Sequence, residues 1–288
     1  MKEAYPFELN VAPPFDWPAL LRFLSARAIT GVEEVDDGCY RRSLRVDSGG
    51  RSHEGFIALR FEPRGCLFEG VLSSGLKPVA GQVIQLIRHF IDADCDPAAV
   101  NAVLGPLSAI RPGLRVPGAF DGFELAVRAV LGQQVSVAAA RTLAGRFAAT
   151  FGKAAGESHC FFPTPAQMAS CEADRIARLG IVSSRAQCIV EVARAMAENR
   201  LDLRWGVDLD LCAQQLTTIR GIGEWTAQYL ALRVMGWRDA FPHGDLAVRK
   251  ALGGITAKQA LQHAERWRPF RAYATMHLWQ SLHQEPRS

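Results

Sequence analysis

The sequence lacks the segments that would send a protein to or through a membrane. Its opening residues, MKEAYPFELN, have neither the basic start nor the apolar core of a secretory signal peptide. No run approaches the ~18 consecutive apolar residues that a membrane helix needs. We therefore expect a cytoplasmic protein that has no membrane partner.

Cysteine is scarce and scattered, and no C-x-x-C pair occurs. The cysteines are odd in number and widely spaced: Cys39, Cys66, Cys95, Cys160, Cys171, Cys188 and Cys212. This distribution argues against a disulfide framework and against a zinc site. Because no cysteine follows Cys212, the C-terminal region cannot supply a four-cysteine iron–sulfur site by itself. Reduced and mostly buried thiols are the expectation.

Strong charge is also missing, and so is any clustered set of His, Asp and Glu at metal-ligand spacing. The formal net charge of +4 permits a polyanionic partner without requiring one. The missing ligand set argues against a metal-dependent nuclease. With 288 residues, 49% of them hydrophobic, the chain can bury a sizeable core in two or three units.

The patterns that are present change along the chain. Three short strand-like runs, RRSLRV, HEGFIALRFE and CLFEGVL, lie between two helical patterns, WPALLRFLSARA and PVAGQVIQLIRHFIDA. From Phe120 onward nearly every segment has helical periodicity. This order predicts an α+β protein with a small antiparallel sheet domain ahead of a larger helical part. The predicted units are a sheet domain, 1–94, a central helical domain, 120–237, and a second helical unit made of 95–119 and 238–288.

Residues 216–237, LTTIRGIGEWTAQYLALRVMGW, interrupt a helical pattern with two glycines. Gly221 and Gly223 would each weaken a helix by about 1 kcal/mol relative to alanine, so we predict a helix, a tight hairpin and a second helix over 216–236. Both glycines are expected to supply conformations that other residues tolerate poorly. The amides of Gly223, Glu224 and Trp225 would then open the second helix unpaired and suit a phosphate. An ordinary helix–helix turn is the alternative.

Downstream, FPHGDLAVRKAL places Asp245 just before a helical pattern. An aspartate there is a standard N-cap. The same carboxylate, held rigidly, could stabilise a cationic sugar as a glycosidic bond breaks and could orient or deprotonate a water molecule. Trp225 and Tyr229 share a helix face, where they could pack in the core or line an aromatic pocket. From the residues alone, Asp245 could be a helix cap or a catalytic group, and the two aromatic residues could belong to the core or to a pocket.

The hairpin followed by a Gly/Pro-rich loop that ends in aspartate resembles the helix-hairpin-helix DNA glycosylase superfamily. Further segments resemble its bacterial 3-methyladenine DNA glycosylase II (AlkA) type, in family order and over essentially the whole chain. These segments are PPFDW, SSGLKPVA, NAVLGPLSAIRPGLRVPG, AVLGQQVSVA, FPTP and ERWRPFRAYATMHLW.

The resemblance implies a function, a fold and a set of site residues. The protein would be a bacterial, nucleoid-associated monomer, with a TBP-like sheet domain, that flips alkylated bases out of double-stranded DNA and hydrolyses the base–sugar bond. Asp245 would be catalytic, and Trp225, Tyr229, Trp279 and Phe23 would line the base pocket. Aromatic faces attract the positive charge of 3-methyladenine and 7-methylguanine.

The resemblance also assigns DNA contacts. Gly221, Gly223 and Glu224 would meet the DNA backbone, and Gln133 and Gln134 would form the loop that enters the duplex. The family archetype has an apolar wedge at the position of Gln134. A monovalent cation, Na⁺ or K⁺, would sit on three hairpin carbonyls and is the sole cofactor implied; the residues are Thr217, Ile219 and Ile222. Four basic residues are further phosphate candidates, with solvated surface charge as the alternative: Arg249, Lys250, Arg268 and Arg271.

Two other functions compete with this hypothesis. Superfamily members that also cut the strand carry a lysine nucleophile where this chain has Trp225, so we expect hydrolysis without lyase chemistry. A non-catalytic helix-hairpin-helix DNA-binding or damage-sensing protein is the competing class. The lesion range, including hypoxanthine and ethenoadenine, stays open at this point.

Overall fold

The computed structural model of the chain describes residues 4–282. Its N-terminal part contains a five-stranded antiparallel sheet with the strand order β1-β5-β4-β3-β2. The strands are β1 (Tyr5–Asn10), β2 (Glu33–Asp36), β3 (Cys39–Ser48), β4 (Arg51–Glu62) and β5 (Leu67–Leu72). Strands β3, β4 and β5 contain the three runs that the sequence predicted. The two edge strands were not predicted, because the β2 sequence EEVD is short and acidic and the β1 sequence YPFELN contains a proline.

Helices cover one face of the sheet and make up nearly all of the chain that follows. They are α1 (Trp17–Ser25), α2 (Ala80–Phe90), α3 (Pro97–Leu104), α4 (Gly122–Leu131), α5 (Val137–Phe151), α6 (Pro165–Ala169), α7 (Ala173–Ala177), α8 (Ser183–Ala197), α9 (Leu209–Thr217), α10 (Glu224–Arg233), α11 (Leu246–Ala251), α12 (Ala257–Ala264) and α13 (Arg271–Ser281). A small hairpin joins β6 (Lys153–Ala154) to β7 (Cys160–Phe161), and 3₁₀ turns lie at Ser74–Val79, Gly105–Leu107 and Glu265–Trp267. This architecture confirms the α+β prediction. Within residues 4–282, every helix is too short or too polar to cross a bilayer.

Side-chain caps explain where many of these helices begin. Asp16, Asp121 and Ser136 each accept a hydrogen bond from a backbone amide in the first turn of the helix that follows. The Ser136 cap also explains why the continuous helical pattern after Phe120 forms two helices, α4 and α5, with a short loop between them. That loop is the one predicted to enter DNA.

One aromatic chain joins the sheet to the helical part. The Tyr40 ring of β3 lies 4.9 Å from the Phe90 ring of α2, and the Phe90 ring lies 4.4 Å from Phe120, just before α4. All three rings are buried. The two parts therefore share one hydrophobic core. Full burial of a large apolar side chain contributes about 1.5–3 kcal/mol, so these rings stabilise the contact between the parts.

A buried ion network crosses the same boundary. Arg42 of β3 pairs with Glu124 of α4 (Nη2–Oε2, 2.5 Å), and Arg128 of α4 pairs with Glu33 of β2 (Nη1–Oε2, 2.8 Å). Arg128 also bonds Glu124 at 3.1 Å, and the Tyr40 hydroxyl donates to Glu33 at 2.7 Å. Two acids and two bases thus neutralise one another between the sheet and the helical part.

Replacing Glu33 with glutamine should cost about 3–5 kcal/mol of unfolding free energy, because Arg42 and Arg128 would then share the single carboxylate of Glu124 and one buried positive charge would be left uncompensated. Burial alone would raise the pKa of Glu33, but Arg128 and Arg42 outweigh it and lower that pKa. The stabilisation is therefore present above the ordinary carboxyl pKa and lost as pH falls through the lowered value. Denaturant unfolding of wild type and Glu33→Gln across this pH range measures the difference.

The matched control is Asp202→Asn, which breaks the exposed Arg204–Asp202 pair. An exposed pair contributes about 0–1 kcal/mol. An equal loss in both variants would show that the network adds nothing beyond a surface pair.

Candidate functional site

Asp245 lies at the end of the loop that joins α10 to α11. Its Oδ1 accepts a hydrogen bond from the Val248 amide at 2.9 Å, so the predicted N-cap is confirmed. Its own amide donates to the Pro242 carbonyl at 2.8 Å, and the loop is tied to α10 where Gln228 Oε1 accepts from the Phe241 amide at 3.0 Å. The carboxylate is therefore attached to two helices and is half-buried.

Two tryptophans on different helices donate hydrogen bonds to the same carboxylate. Trp225 of α10 donates its indole N–H to Oδ2 at 2.7 Å, and Trp279 of α13 donates to Oδ1 at 3.2 Å. With the Val248 amide, three N–H donors fix the orientation of Asp245. The family resemblance implied that both indoles line a base pocket and did not link them to Asp245. The available signal was that a buried indole N–H, being a donor only, needs an acceptor.

The four aromatic residues predicted to line a pocket come together around Asp245. The rings of Trp225 and Tyr229 stack at 5.3 Å and 10°, and the Tyr229 and Trp279 rings lie 6.2 Å apart. The Phe23 ring of α1 lies 6.4 Å from Trp279 and nearly parallel to it, at 17°. We call this set the aromatic wall. Because α1 belongs to the sheet region, that region supplies one ring of the wall.

Two arginines that the sequence argument missed lie against the aromatic wall. The Arg27 guanidinium carbon is 3.8 Å from the centroid of the Phe23 ring, and that of Arg233 is 5.0 Å from it. Arg233 also donates to the Tyr229 hydroxyl at 3.0 Å and to the carbonyls of Pro117 and Gly118. Each arginine follows its aromatic partner by four residues, a helical spacing that could have revealed both pairs.

The guanidinium groups change the acidity of the site. Burial lowers the pKa of Arg27 to about 10, and the neighbouring cations Arg233 and Arg128 act in the same direction. Burial alone would raise the pKa of the Tyr229 hydroxyl, but Arg233, Arg27 and Arg128 outweigh it and lower that pKa. The wall thus contains a phenol in a positive field.

The predicted helix, turn and helix are present, but the first helix, α9 (Leu209–Thr217), lies almost wholly before the predicted start at residue 216, and α10 (Glu224–Arg233) is the second. Gly221 has a φ of +97°, in the left-handed region that favours glycine, as predicted. The same prediction is wrong for Gly223, whose φ of −95° and ψ of 177° are extended backbone that any residue adopts. Open space surrounds the position that a Gly223 β-carbon would take, so the absence of a side chain leaves the backbone exposed at this point of the surface. No side chain of the described residues caps α10, so its first amides have no side-chain acceptor.

A carboxylate lies beside this helix start. Glu224 has a side chain that is 70% exposed, and its Oε2 lies 3.4 Å from His243 Nε2 in the Asp245 loop. The hairpin and the Asp245 loop therefore meet at their surfaces.

Leu246, directly after Asp245, is 77% exposed. This exposure is unusual for a large apolar side chain, and the sequence pattern did not indicate it.

The loop between α4 and α5 lies next to the hairpin. Gln134 is exposed and has a φ of +55°. The Gln133 side-chain nitrogen donates to the Gly221 carbonyl at 2.9 Å and to Thr226 Oγ1 at 3.1 Å. The structure thus brings together the loop, the hairpin, Asp245 and the aromatic wall. Arg271 lies apart from them, buried and bonded to Asp239 through Nε at 2.7 Å and Nη2 at 2.8 Å.

Solved structures share this architecture. A 3-methyladenine DNA-glycosylase from Archaeoglobus fulgidus superposes with a TM-score of 0.77 at 21% identity, over 96% of this chain and 97% of that one. An 8-oxoguanine glycosylase/lyase from Clostridium acetobutylicum, in complex with double-stranded DNA, gives 0.65 at 14% identity, over 88% of each chain. At these identities the likeness establishes the fold, which is that of the DNA glycosylases.

Sequence comparison narrows the class. Residues 6–121 match the AlkA N-terminal domain, and residues 127–268 match the HhH-GPD superfamily of base excision DNA repair proteins. The DNA-3-methyladenine glycosylase 2 of Escherichia coli K12 is 39% identical over 277 residues, which cover 95% of this chain and 96% of that protein. The chain therefore belongs to the AlkA family of base excision DNA repair glycosylases.

The Tyr229 hydroxyl should ionise below the ordinary range of tyrosine, since Arg233, Arg27 and Arg128 favour the phenolate. Its titration is the difference between the near-ultraviolet absorbance of wild type and that of Tyr229→Phe as pH rises. In Arg233→Met the step should move to higher pH, while in the exposed-site control Arg204→Met it should not move. A step at or above the ordinary range in wild type would contradict the positive field.

Proposed function

We propose that the chain is a monofunctional DNA glycosylase that excises alkylated bases from double-stranded DNA and leaves an abasic site. One observation carries the proposal: the Asp245 carboxylate is held by the indoles of Trp225 and Trp279, which themselves belong to the aromatic wall. A planar ring that stacks on this wall therefore has its attached sugar beside a fixed carboxylate. 3-Methyladenine and 7-methylguanine are the substrates that this chain's family membership favours.

Asp245 would act on the sugar and on water. As the bond between C1′ and the base nitrogen breaks, its electron pair leaves with the base and positive charge develops on the sugar. The carboxylate stabilises that charge, orients a water molecule for attack at C1′ and accepts its proton. N-alkylated purines already carry positive charge, so they leave readily as neutral bases.

The hairpin would anchor the DNA backbone. The amides at the start of α10, which no side chain of the described residues caps, suit a phosphate, and the open space at Gly223 would let it approach. The Thr217, Ile219 and Ile222 carbonyls of this turn are neutral oxygen donors of the kind that bind Na⁺ or K⁺. The Ile219 carbonyl accepts from the Ile222 amide at 3.0 Å, which brings two of these residues together. A cation held there would add positive charge beside the phosphate.

The loop carrying Gln134 would enter the duplex where the base leaves. An extruded base costs unstacking and unpairing energy, which side-chain insertion offsets. Gln134 is exposed at the loop and carries polar groups that can bond the orphaned partner base.

Asp245→Asn tests catalysis against passive binding. Asparagine keeps the shape and the helix cap, but it lacks the negative charge, so base release from methylated duplex DNA should fall by about 10²–10³-fold. Binding to abasic-site DNA should stay within a few-fold of wild type. Mass spectrometry of the released bases and a binding titration provide the two measurements.

The competing class, a non-catalytic damage sensor, makes a different prediction for wild type. It would bind damaged DNA and release no base from it. Mass spectrometry of the same reaction also defines the lesion range.

Borohydride trapping tests the absence of lyase chemistry. A Schiff base needs an amine at the reacting carbon, and the position beside Asp245 is occupied by the Trp225 indole. Wild type should release base without forming a reducible enzyme–DNA adduct and without cutting the strand. A trapped adduct would contradict the hydrolytic mechanism.

A further inference from the structure

Gln133 joins two elements that are far apart in the chain. Its side-chain nitrogen donates to the Gly221 carbonyl at 2.9 Å and to Thr226 Oγ1 at 3.1 Å. Both hydrogens of the amide are thus used inside the protein. Gln133 therefore connects the loop after α4 to the turn of the hairpin and to the first turn of α10.

The hairpin end of this connection is fixed. A β-carbon at Gly221 would lie 3.0 Å from Cys188 Sγ of α8, so the turn is packed closely against that helix. Thr226 is 1% exposed. Gln133 therefore bonds to a part of the hairpin that has little freedom to move.

The loop between α4 and α5 contains a backbone conformation that other contacts must stabilise. Helix α4 ends at Leu131, α5 begins under the Ser136 cap, and Gln134 between them adopts a φ of +55°. Glutamine rarely takes this left-handed conformation, and such a conformation persists where surrounding contacts hold it. The bonds of Gln133, its direct neighbour, are contacts of this kind.

We propose that Gln133 is a positioning residue that couples the phosphate anchor to base extrusion. Its two bonds hold the loop at a fixed place relative to the hairpin, so that a phosphate bound at α10 sets the point at which Gln134 enters the duplex. This inference rests on the proposed glycosylase function. It assigns Gln133 a role through the protein, whereas the sequence resemblance placed it among the DNA contacts.

The test is Gln133→Met, which keeps the length and the neutrality of the side chain and removes both donors. Single-turnover base release is measured on two duplexes, one with 7-methylguanine opposite cytosine and one with 7-methylguanine opposite a mismatched thymine. Losing two hydrogen bonds should slow release from the paired lesion by about tenfold. The mismatched lesion should lose much less, because it is already easier to extrude.

Thr226 provides the matched variants. Thr226→Val removes one acceptor and should produce a smaller loss with the same preference for the paired lesion, and Thr226→Ser should restore the wild-type rate. In the double variant with Gln133→Met, the Thr226→Val loss should disappear, since its bond is already gone. The Thr226 variants also carry the test if Gln133→Met fails to fold, which thermal unfolding reveals.

These measurements distinguish a failure of the Gln133 coupling from a failure of the proposed glycosylase activity. Equal loss on both duplexes, or no loss on either, would overturn the coupling while wild-type turnover upholds the glycosylase function. Additive losses in the double variant would also overturn it. A wild type that releases 7-methylguanine from neither duplex would overturn the activity on this lesion and, with it, the inference.

Discussion

The buried ion network between the sheet and α4 is the constraint on which the site depends. Arg128 pairs with Glu33 and Glu124, and it also donates to the Arg27 carbonyl at 2.7 Å, at the end of α1. Arg128 thus helps to hold the segment that brings Phe23 and Arg27 to the aromatic wall, together with Arg141, which donates to the Ala28 carbonyl at 3.0 Å. The sheet domain supplies the Phe23 ring and the Arg27 guanidinium to the site. Desolvated charges are costly alone, so the two parts must dock in the one arrangement that pairs all of them.

Within the site, the same aromatic faces serve two kinds of contact. The Phe23 ring already lies under the guanidinium of Arg27, and Tyr229 accepts a bond from Arg233. The attraction of electron-rich rings for cations is thus partly taken up by the protein's own arginines. In the proposed glycosylase, shape and stacking on Trp225 and Trp279 would therefore carry more of base recognition than ring electrostatics does. The carboxylate of Asp245 is the opposing charge in this positive field.

Local patterns in the sequence predicted the elements whose causes are local. Strands β3 to β5, the hairpin, the left-handed Gly221 and the Asp245 cap all follow from short-range spacing and residue type. The contacts that define the site join distant segments, such as Trp279 to Asp245 and Gln133 to Gly221, and no periodicity reports them. Gly223 is the exception, because its backbone is extended and a β-carbon there would meet open space, so neither backbone angles nor packing within the chain require glycine at this position. Family resemblance supplied the grouping of site residues that pattern alone left open.

The bond from Trp225 to Asp245 also bears on how such a protein can change over evolution. If residue 225 were lysine, the site would gain the amine that Schiff-base chemistry needs. In the same step it would lose the shortest donor to its carboxylate and the ring that stacks on Tyr229. The substitution would add the amine while weakening the hydrogen bonding that fixes the Asp245 carboxylate. Under the proposed mechanism, a change from hydrolysis to lyase chemistry would therefore need compensating changes around Asp245.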